Sequence, residues 1–317
     1  MELDIIYQED CFETFKGIED KSIDLLVVDP PYNIHKAEWD RIPNYIEWCG
    51  KWLVECQRVL KDNGSFYFFH NDMPVIAELM IWIKANTKFI FKQFIVWNKR
   101  FDDVPNKGFL DGFIVPEGLR NYQQMAEYCL YYTFQDETGL TRIFGNDGCF
   151  LPIREYLRKE KIRAGLRTCK QINQLLGVDD NGGGMASHYF SNKIGFKQWA
   201  LPTKEMYAKL QSTGYFQREY EDLRLEYEDL RYTFNLQGND RNIIQMSSGN
   251  NGKYHPTQKP ITLIENIVKH SSNEGDTVLD CFAGSGTTGV ACQNLNRNYI
   301  LIEKDPKYYE IILKRLE

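Results

Sequence analysis

The sequence predicts an α/β protein in which helices cover a doubly wound, mostly parallel and twisted sheet, with a mostly helical region inserted into it. Three observations carry this prediction. Strand-like apolar runs alternate with amphipathic helical segments up to about residue 135, and the alternation returns near the end of the chain. The stretch between is rich in glycine, arginine and short polar segments. The boundaries that follow are 1–135 and 246–317 for one divided domain and 136–245 for the insertion.

The first part of the domain contains eight predicted elements. Runs rich in aromatic and β-branched residues predict strands, and apolar residues at a spacing of three or four predict helices. In chain order the segments are DIIYQED (strand), CFETFKGI (helix), SIDLLVVD (strand), NYIEWCGKWLVECQRVLK (helix), GSFYFFHN (strand), MPVIAELMIWIKAN (helix), FIFKQFIVWNK (strand) and MAEYCLYYTF (strand).

The last part repeats the alternation but is too short to form a sheet alone. Its segments are ITLIENIVKHSS (helix), DTVLDCF (strand), GSGTTGVACQNL (loop into helix), NYILIEKD (strand) and PKYYEIILKRL (helix). Two strands cannot make a doubly wound sheet, so they must join the strands of residues 1–135. A nucleotide-binding unit normally opens such a sheet. The sequence therefore predicts a Rossmann-like sheet that is circularly permuted.

Composition excludes several classes of protein. The chain is 43% hydrophobic and 26% charged, as in ordinary globular proteins, and its net charge of −6 does not by itself indicate a nucleic-acid binder. No uncharged apolar run approaches the roughly 18 residues of a membrane helix, which predicts a cytoplasmic protein. The eight cysteines are scattered without a C-x-x-C pair, and the five histidines lack metal-ligand spacing. We therefore expect no metal site.

The inserted region carries a basic segment. Between Arg154 and Lys170 it has seven basic residues against two acidic ones, on a stretch that reads as helical. The following TCKQINQLLGVDDNGGGMASHYF resembles a helix, a glycine turn and a second helix, as in helix-turn-helix DNA readers, although a pair of solvated helices fits equally well. The repeated YEDLR predicts an apolar seam on a helix packed within its own domain. The seam comprises Tyr220, Leu223, Tyr227, Leu230 and Phe234.

A glycine loop predicts a nucleotide-type cofactor. Gly284, Gly286 and Gly289 form a G-x-G-x-x-G between a predicted strand and helix, and Glu303 ends the next strand, where a carboxylate can bind ribose hydroxyls. Asp280 precedes the loop. Its charge would repel a pyrophosphate but would suit the ammonium and sulfonium groups of S-adenosylmethionine. A nicotinamide cofactor is the alternative.

A second loop lies at the same predicted edge, because ligands sit beyond the carboxyl ends of strands in open α/β sheets. SIDLLVVD delivers Asp29, Pro30, Pro31 and Tyr32 there. The lone pair of an exocyclic amino nitrogen is delocalised into its base, which makes the nitrogen a poor nucleophile. A carboxylate and a carbonyl fixed by successive prolines could accept its two N–H groups and favour a pyramidal nitrogen. Tyr32 offers a face for stacking a base that has left the helix.

Together these motifs resemble the permuted β class of amino-methylating DNA methyltransferases. The motifs are DPPYN, HPTQKP at His255–Pro260 and LDCFAGSGTTG, and the resemblance covers about residues 1–135 and 245–317. It implies S-adenosylmethionine as cofactor, catalytic roles for Asp29, Pro30 and Tyr32, and Lys259 near the cofactor carboxylate. The full set of implied cofactor contacts is Asp10, Thr257, Lys259, Asp280, Phe282, Ala283, Gly284, Gly286 and Glu303.

The residues present favour some alternative functions over others. A cytosine-C5 methyltransferase commonly has a Pro-Cys pair, and no cysteine here follows a proline. By the same family resemblance, an aspartate at position 29 favours adenine N6, whereas a serine would favour cytosine N4. Methylation of RNA or of a protein amide stays open. A helix-turn-helix regulator with a degenerate methyltransferase core is a rival of a different class, although every implied catalytic position is filled.

The expected partner is double-stranded DNA. The predicted phosphate contacts, called the basic cluster below, are Arg158, Lys161, Arg163, Arg167 and Lys170. The resemblance leaves open a cognate restriction endonuclease as a further partner and a homodimer as the assembly.

Overall fold

The computed structural model of the chain describes residues 2–34, 38–99, 124–134, 150–178, 184–190, 199–235, 240–247, 254–255 and 257–317. The chain divides into two compact units. The first comprises Met1–Phe134 and Thr233–Glu317, and the second comprises Gln135–Tyr232. Both ends of the chain thus contribute to one folded unit. Within the described ranges, no helix has the length and apolar character needed to cross a membrane.

The first unit is built around one sheet of eight described strands. The strands are β1 (Ile5–Tyr7), β2 (Ile23–Val28), β3 (Leu60–His70), β4 (Ile90–Asn98), β5 (Ala126–Thr133), β6 (Ile243–Gln245), β7 (Thr277–Asp280) and β8 (Asn298–Ile302). Their order across the sheet is β1-β8-β7-β2-β3-β5-β4-β6. The pairings of β5 with β3 and β4 are antiparallel, and the other pairings are parallel.

Helices flank this sheet and make up most of the second unit's described structure. The first unit contains α1 (Cys11–Thr14), α2 (Tyr45–Val59) and α3 (Met73–Asn86). The second contains α4 (Leu151–Arg163), α5 (Cys169–Leu176), α6 (Gly184–Phe190), α7 (Lys204–Gln211) and α8 (Tyr220–Leu230). The chain then returns to the first unit with α9 (Ile261–Ser271), α10 (Thr287–Asn294) and α11 (Pro306–Leu316).

The central strand β2 is apolar from Leu25 to Val28 because both of its faces are covered there. Leu26 and Val28 belong to a core that also includes Trp52 of α2. Leu25 and Val27 belong to the opposite core, which includes Ile264 of α9. A strand buried on both faces reads as a continuous apolar run rather than an alternating one. This is why SIDLLVVD lacks the polar–apolar alternation of a surface strand.

The circular permutation is visible in the pairing of β7. In this strand Val278 pairs with Leu25 of β2 on one side and with Tyr299 of β8 on the other, both in parallel. The C-terminal strands thus enter the middle of a sheet begun by the N-terminal residues. The carboxyl ends of β2, β7 and β8 lie next to one another as a result. The predicted α/β fold with a permuted, mostly parallel sheet is confirmed.

The described residues of the second unit are helical around a separate core that includes Leu157, Ile172 and Tyr207. The basic segment predicted to be helical contains two helices, α4 and α5. Gly165 between them has a φ of +70°, which an L side chain rarely adopts and which ends the first helix. The helices α5 and α6 pack together, with the Ala186 N–H donating to Oδ1 of the buried Asn173 at 3.1 Å. The glycine turn of this pattern, 179–183, lies outside the described residues.

The predicted apolar seam is right for four of its five residues. Leu223 of α8 is fully buried, and Tyr220, Tyr227 and Leu230 pack against the same core. Phe234 is the exception, because the helix ends at Leu230 and the next residue has an extended backbone. In the first unit, Phe234 stacks on Tyr131 with ring centroids 5.8 Å apart.

Candidate active site

A cavity of about 770 Å³ lies at the carboxyl ends of β2, β7 and β8. The three residues predicted as catalytic all line it, as do eight of the nine predicted cofactor contacts. These lining residues are Asp10, Asp29, Pro30, Tyr32, Thr257, Lys259, Asp280, Phe282, Ala283, Gly284 and Glu303. The ninth, Gly286, lies between the lining residues Ser285 and Thr287 at the start of α10. The parallel packing of strands from both chain ends thus brings the predicted residues to one place.

The glycine loop has the backbone geometry that only glycine accommodates well. Gly284 and Gly286 have φ angles of +54° and +75°. A Cβ at position 286 would lie 2.9 Å from the Ile312 side chain, so α11 also packs too closely for a side chain there. The Gly284 N–H donates to the Glu303 carboxylate at 2.8 Å. This bond ties the glycine loop to the end of β8.

Two carboxyl groups lie in the cavity wall, Asp280 buried and Glu303 half-buried. Asp280 is 4% exposed; one oxygen accepts from the Phe282 N–H at 3.0 Å and the other from the Thr288 hydroxyl at 2.6 Å. Glu303 accepts from the backbone N–H groups of Gly284 and Asp305. Burial raises the pKa of both carboxyl groups to about 7, and these hydrogen bonds only partly oppose it. A cationic ligand would favour their ionised forms.

Asp10 lies at the edge of the cavity as the N-cap of α1. One of its oxygens accepts from the Phe12 N–H at 3.1 Å, and the other accepts from the Lys304 ammonium at 2.9 Å. Partial burial would raise the pKa of Asp10, but these bonds and the Lys304 charge outweigh it and lower that pKa. Asp10 therefore stays ionised and fixes the chain where β1 leads into α1.

The remaining predicted cofactor contacts differ in how they are held. Phe282 packs on Trp48 and Trp52 with centroid distances of 5.5 and 5.7 Å. The backbone N–H of Ala283 donates to the Ile302 carbonyl at 2.9 Å. The backbone N–H and the hydroxyl of Thr257 both lie within hydrogen-bond distance of His255 Nδ1, at 3.2 and 2.9 Å. Each is thus fixed by neighbours on the cavity wall.

The Asp-Pro-Pro-Tyr loop is closed by its own side chains. The Tyr32 hydroxyl donates to one oxygen of Asp29 at 2.7 Å, and the Lys259 ammonium donates to the other at 2.5 Å. The Tyr32 ring is only 7% exposed and lies 4.7 Å from the His70 ring. The structure therefore presents Tyr32 as a largely covered ring rather than as the open stacking face that the sequence predicts.

Side chains outside the motif hold this loop. The Tyr45 hydroxyl donates to the Pro31 carbonyl at 2.6 Å and lies 3.2 Å from His70 Nε2. Nδ1 of His70 accepts from the Asp72 N–H at 3.1 Å, so the neutral tautomer carries its proton on Nε2 and donates to Tyr45. Burial lowers the pKa of His70 to about 4, which keeps it neutral.

Two residues of the site are absent from the sequence prediction. Glu127 in β5 and Lys99 just after β4 form an ion pair, and Glu127 also lies 3.3 Å from the Lys259 ammonium. Lys259 is thus engaged within the protein by Asp29, Tyr32 and Glu127; its predicted cofactor contact stays a prediction. The available signal was a glutamate inside the apolar strand MAEYCLYYTF, because a charge in such a strand needs a partner.

The basic cluster belongs to the second unit. Arg158, Arg167 and Lys170 are exposed. Lys161 is partly buried with its ammonium 5.7 Å from the Phe190 ring centroid. In the fifth residue, Arg163, Nη1 donates to both oxygens of the buried Glu160 carboxylate, at 2.9 and 3.0 Å. Its charge is therefore partly offset. In the described ranges, no group of three or more His, Cys, Asp or Glu side chains could hold a metal ion.

The glycine loop and the Asp-Pro-Pro-Tyr loop line one cavity of a Rossmann-like sheet. This arrangement places the protein in the class of amino-methylating methyltransferases. The chain belongs to the DNA methylase family, whose model matches residues 23–314, and it is a DNA methyltransferase.

Curated relatives and solved structures agree with this assignment. The chain is 25% identical to the Type II methyltransferase M1.MboII of Moraxella bovis over 100% of this chain and 99% of that one. It is 27% identical to the DNA adenine methyltransferase YhdJ of Escherichia coli (strain K12) over 98% and 82% of the two chains.

Two solved structures share the fold. The M1.HpyAVI–SAM complex has a TM-score of 0.52 at 22% identity, with 98% of each chain covered. The cytosine-N4-specific PvuII DNA methyltransferase has a TM-score of 0.55 at 15% identity, with 100% of this chain and 87% of that one covered.

Proposed function

We propose that the protein transfers a methyl group from S-adenosylmethionine to the N6 amino group of adenine at a specific sequence in double-stranded DNA. One observation carries this proposal: Asp29 after β2 and the glycine loop after β7 line the same cavity. A methyl donor held by the glycine loop would thus lie beside a carboxylate that can bind an amino group.

The chemistry of the cavity wall fits this cofactor. When bound, S-adenosylmethionine supplies an electrophilic methyl group on a positively charged sulfur. Asp280 and Glu303 offer negative charge to its cationic groups and acceptors to its ribose hydroxyls. Phe282 offers an apolar contact, and the tight turn at Gly284 lets the backbone approach closely. M1.HpyAVI, a protein of the same fold, has been solved as a complex with SAM.

Asp29 and Pro30 would activate the target nitrogen. Both line the cavity, and each can accept one N–H of an exocyclic amino group, which favours a pyramidal nitrogen with a free lone pair. Because Tyr32 and Lys259 fix both oxygens of Asp29, the carboxylate does not have to reorganise as the amino group binds. We further propose that Tyr32 contacts the target base through the part of its ring that lines the cavity.

Adenine is the favoured base, and cytosine is the second candidate. An aspartate at position 29 supports adenine, as does the similarity to a relative named as a DNA adenine methyltransferase. Cytosine N4 keeps specific support, because the cytosine-N4-specific PvuII enzyme has the same fold. Both amino groups require the same two acceptors, so the geometry of Asp29 and Pro30 serves either base.

We propose that residues 136–245 recognise the DNA target and that the basic cluster contacts phosphates. The exposure of Arg158, Arg167 and Lys170 supports this role. A cognate restriction endonuclease is proposed from relatives named as Type II methyltransferases. A homodimer, measurable by light scattering, and action in the cytoplasm complete the proposal.

Expression in a host that lacks DNA methylation tests the proposal. The modified bases and their sequence context are then read across the genome. N6-methyladenine at one recurring sequence is the expected result, and N4-methylcytosine would select the second candidate. Unmodified DNA from wild-type protein that still binds DNA would instead support a regulator with an inactive core.

Asp29→Ala gives the matched loss of function. Methylation should be lost because the amino group loses one acceptor, while binding of cofactor and DNA is largely kept. Asp62→Ala, which removes an exposed carboxylate in a surface ion pair with Lys21, is the control. Unchanged methylation by the Asp29 variant would contradict the assigned role. Binding of NADH without binding of S-adenosylmethionine would overturn the cofactor assignment.

A further inference from the structure

Four charged side chains form a continuous row behind the Asp-Pro-Pro-Tyr loop. The Lys259 ammonium lies 2.5 Å from Asp29 and 3.3 Å from Glu127, and Glu127 also pairs with Lys99. Lys259, Glu127 and Lys99 are only 5%, 6% and 8% exposed. The charges alternate along the row and sum to zero. Sequence positions from 29 to 259 contribute to it, so it is a product of the sheet topology.

Burying charged groups is unfavourable unless each is paired. Burial alone would lower the pKa of Lys259, but the carboxylates of Asp29 and Glu127 outweigh it and raise that pKa. Burial likewise opposes the charge on Glu127, and the two ammonium groups outweigh it and lower the pKa of Glu127. Lys259 and Glu127 therefore stabilise each other's charged forms. At Lys99 the balance is the opposite, because burial outweighs the attraction of Glu127 and lowers the pKa of that ammonium. Removal of one charge would leave a neighbour buried without compensation.

The Lys259 ammonium has little freedom to do anything else. It donates hydrogen bonds to Asp29 Oδ2 and to the Tyr32 hydroxyl at 3.1 Å, and it forms an ion pair with Glu127 Oε2. The ring of Phe69 covers it with its centroid 5.1 Å away. Lys259 thus fixes one oxygen of Asp29 while Tyr32 fixes the other. The carboxylate plane is set before a base arrives.

We propose that Lys259 is a positioning residue for Asp29 and that Glu127, itself held by Lys99, anchors Lys259. This role rests on the proposed methyl transfer to an amino group bound by Asp29. It differs from a contact between Lys259 and the cofactor carboxylate, because it acts on the turnover step rather than on cofactor affinity. Glu127 and Lys99 act on the reaction only through Lys259.

Lys259→Met separates the two roles. Displacement of a reacting group by about 1 Å can lower the rate about 100-fold, so kcat should fall by about that factor. The dissociation constant of S-adenosylmethionine, measured by calorimetry, should stay within about twofold of the wild-type value. A tenfold or greater weakening of cofactor binding with kcat retained would overturn the proposal. Lys61→Met, which breaks a pair with Asp24 at the other end of β2, is the control and should keep wild-type kcat.

A second pair of variants tests whether Glu127 holds Lys259 in place. Glu127→Gln leaves an excess buried positive charge that competes with Lys259 for Asp29, so kcat should fall by about tenfold or more. Adding Lys99→Met removes that excess and should raise kcat several-fold above that of Glu127→Gln, without reaching the wild-type value, because Lys259 still lacks its contact with Glu127. The proposal fails if the double variant is no more active than Glu127→Gln. If the melting curve shows that Lys259→Met does not fold, the comparison of Glu127→Gln with the double variant tests the proposal instead.

Failure of the inference is distinguishable from failure of the proposed function. Wild-type protein is assayed on the same DNA in every experiment, and methylation by it upholds the function whatever the variants do. An inactive wild-type protein that still binds DNA would overturn the function, and the inference with it.

Discussion

The affinity for S-adenosylmethionine should depend steeply on pH through Asp280 and Glu303. Burial raises the pKa of both carboxyl groups to about 7, and each must be ionised to offer negative charge to the cationic cofactor. At pH 6 about one-tenth of each group is ionised, so each lowers the affinity about tenfold and both together about 100-fold. At pH 7 the loss should be about fourfold, since about half of each group is ionised.

Isothermal titration calorimetry between pH 5.5 and 7.5 measures this dependence. The range stops there because the α-amino group of the cofactor begins to lose its own charge above it. Asp280→Asn removes one titrating group, so the remaining pH dependence should shrink to about tenfold between pH 6 and the plateau. Asp62→Asn, an exposed carboxylate outside the cavity, should keep the full dependence. An affinity that stays constant from pH 5.5 to 7.5 would refute the reasoning.

Three further predictions concern stability and DNA binding. Gly286→Ala combines a φ of +75° with a Cβ 2.9 Å from Ile312 and should lower Tm by several degrees, whereas Gly275→Ala, with a φ of +83° and nothing within 4 Å, should lower it less. The pKa of His70 is lowered to about 4 in the folded protein, so its neutral form stabilises the fold above pH 6.5 and this stabilisation is lost as pH falls toward 4. Between pH 6.5 and 4 this titration lowers the free energy of unfolding by about 3 kcal/mol. His70→Gln lacks the titrating group, so its Tm should drop less between pH 7.5 and 5 than that of the wild type. Replacing the three arginines of the basic cluster by glutamine should weaken DNA binding. The slope of the logarithm of the binding constant against the logarithm of the salt concentration should become shallower by about two or three, as a titration at several salt concentrations would show. Unchanged affinity would argue against phosphate contacts there.

Local patterns predicted most elements of the first unit because its strands and helices bury one-sided or continuous apolar surfaces. The predicted helices MPVIAELMIWIKAN and PKYYEIILKRL coincide with α3 and α11. Both begin with a proline in the first turn after an aspartate N-cap, Asp72 and Asp305, which are strong local start signals. One short element was missed: β6 has three residues, too few to show a strand periodicity, and it is recognised through its pairing with β4.

The part of the site that the sequence did not predict depends on contacts between residues that are far apart in the chain. Tyr128 of β5 pairs with His70 of β3, and this register places the neighbouring Glu127 behind the Asp-Pro-Pro-Tyr loop. Lys259 reaches Asp29 across 230 residues of sequence. No local pattern encodes either approach, because both depend on which strands become neighbours. The sequence motifs identified the residues that line the cavity, whereas the charged side chains that hold Asp29 became apparent only in the fold.

The permuted order of the chain still yields one site because adjacency in the sheet, not order in sequence, decides which loops meet. β7 lies between β2 and β8, so the loops that follow these three strands open on the same cavity. A chain with the motifs in the reverse order would give the same juxtaposition, provided that β7 still paired with β2. The insertion of residues 135–232 between β5 and β6 leaves these pairings intact, because β7 lies next to β2 and β8 rather than next to β5 or β6. The second unit, proposed to recognise the DNA target, can therefore vary in sequence without a change in the groups proposed to carry out the transfer.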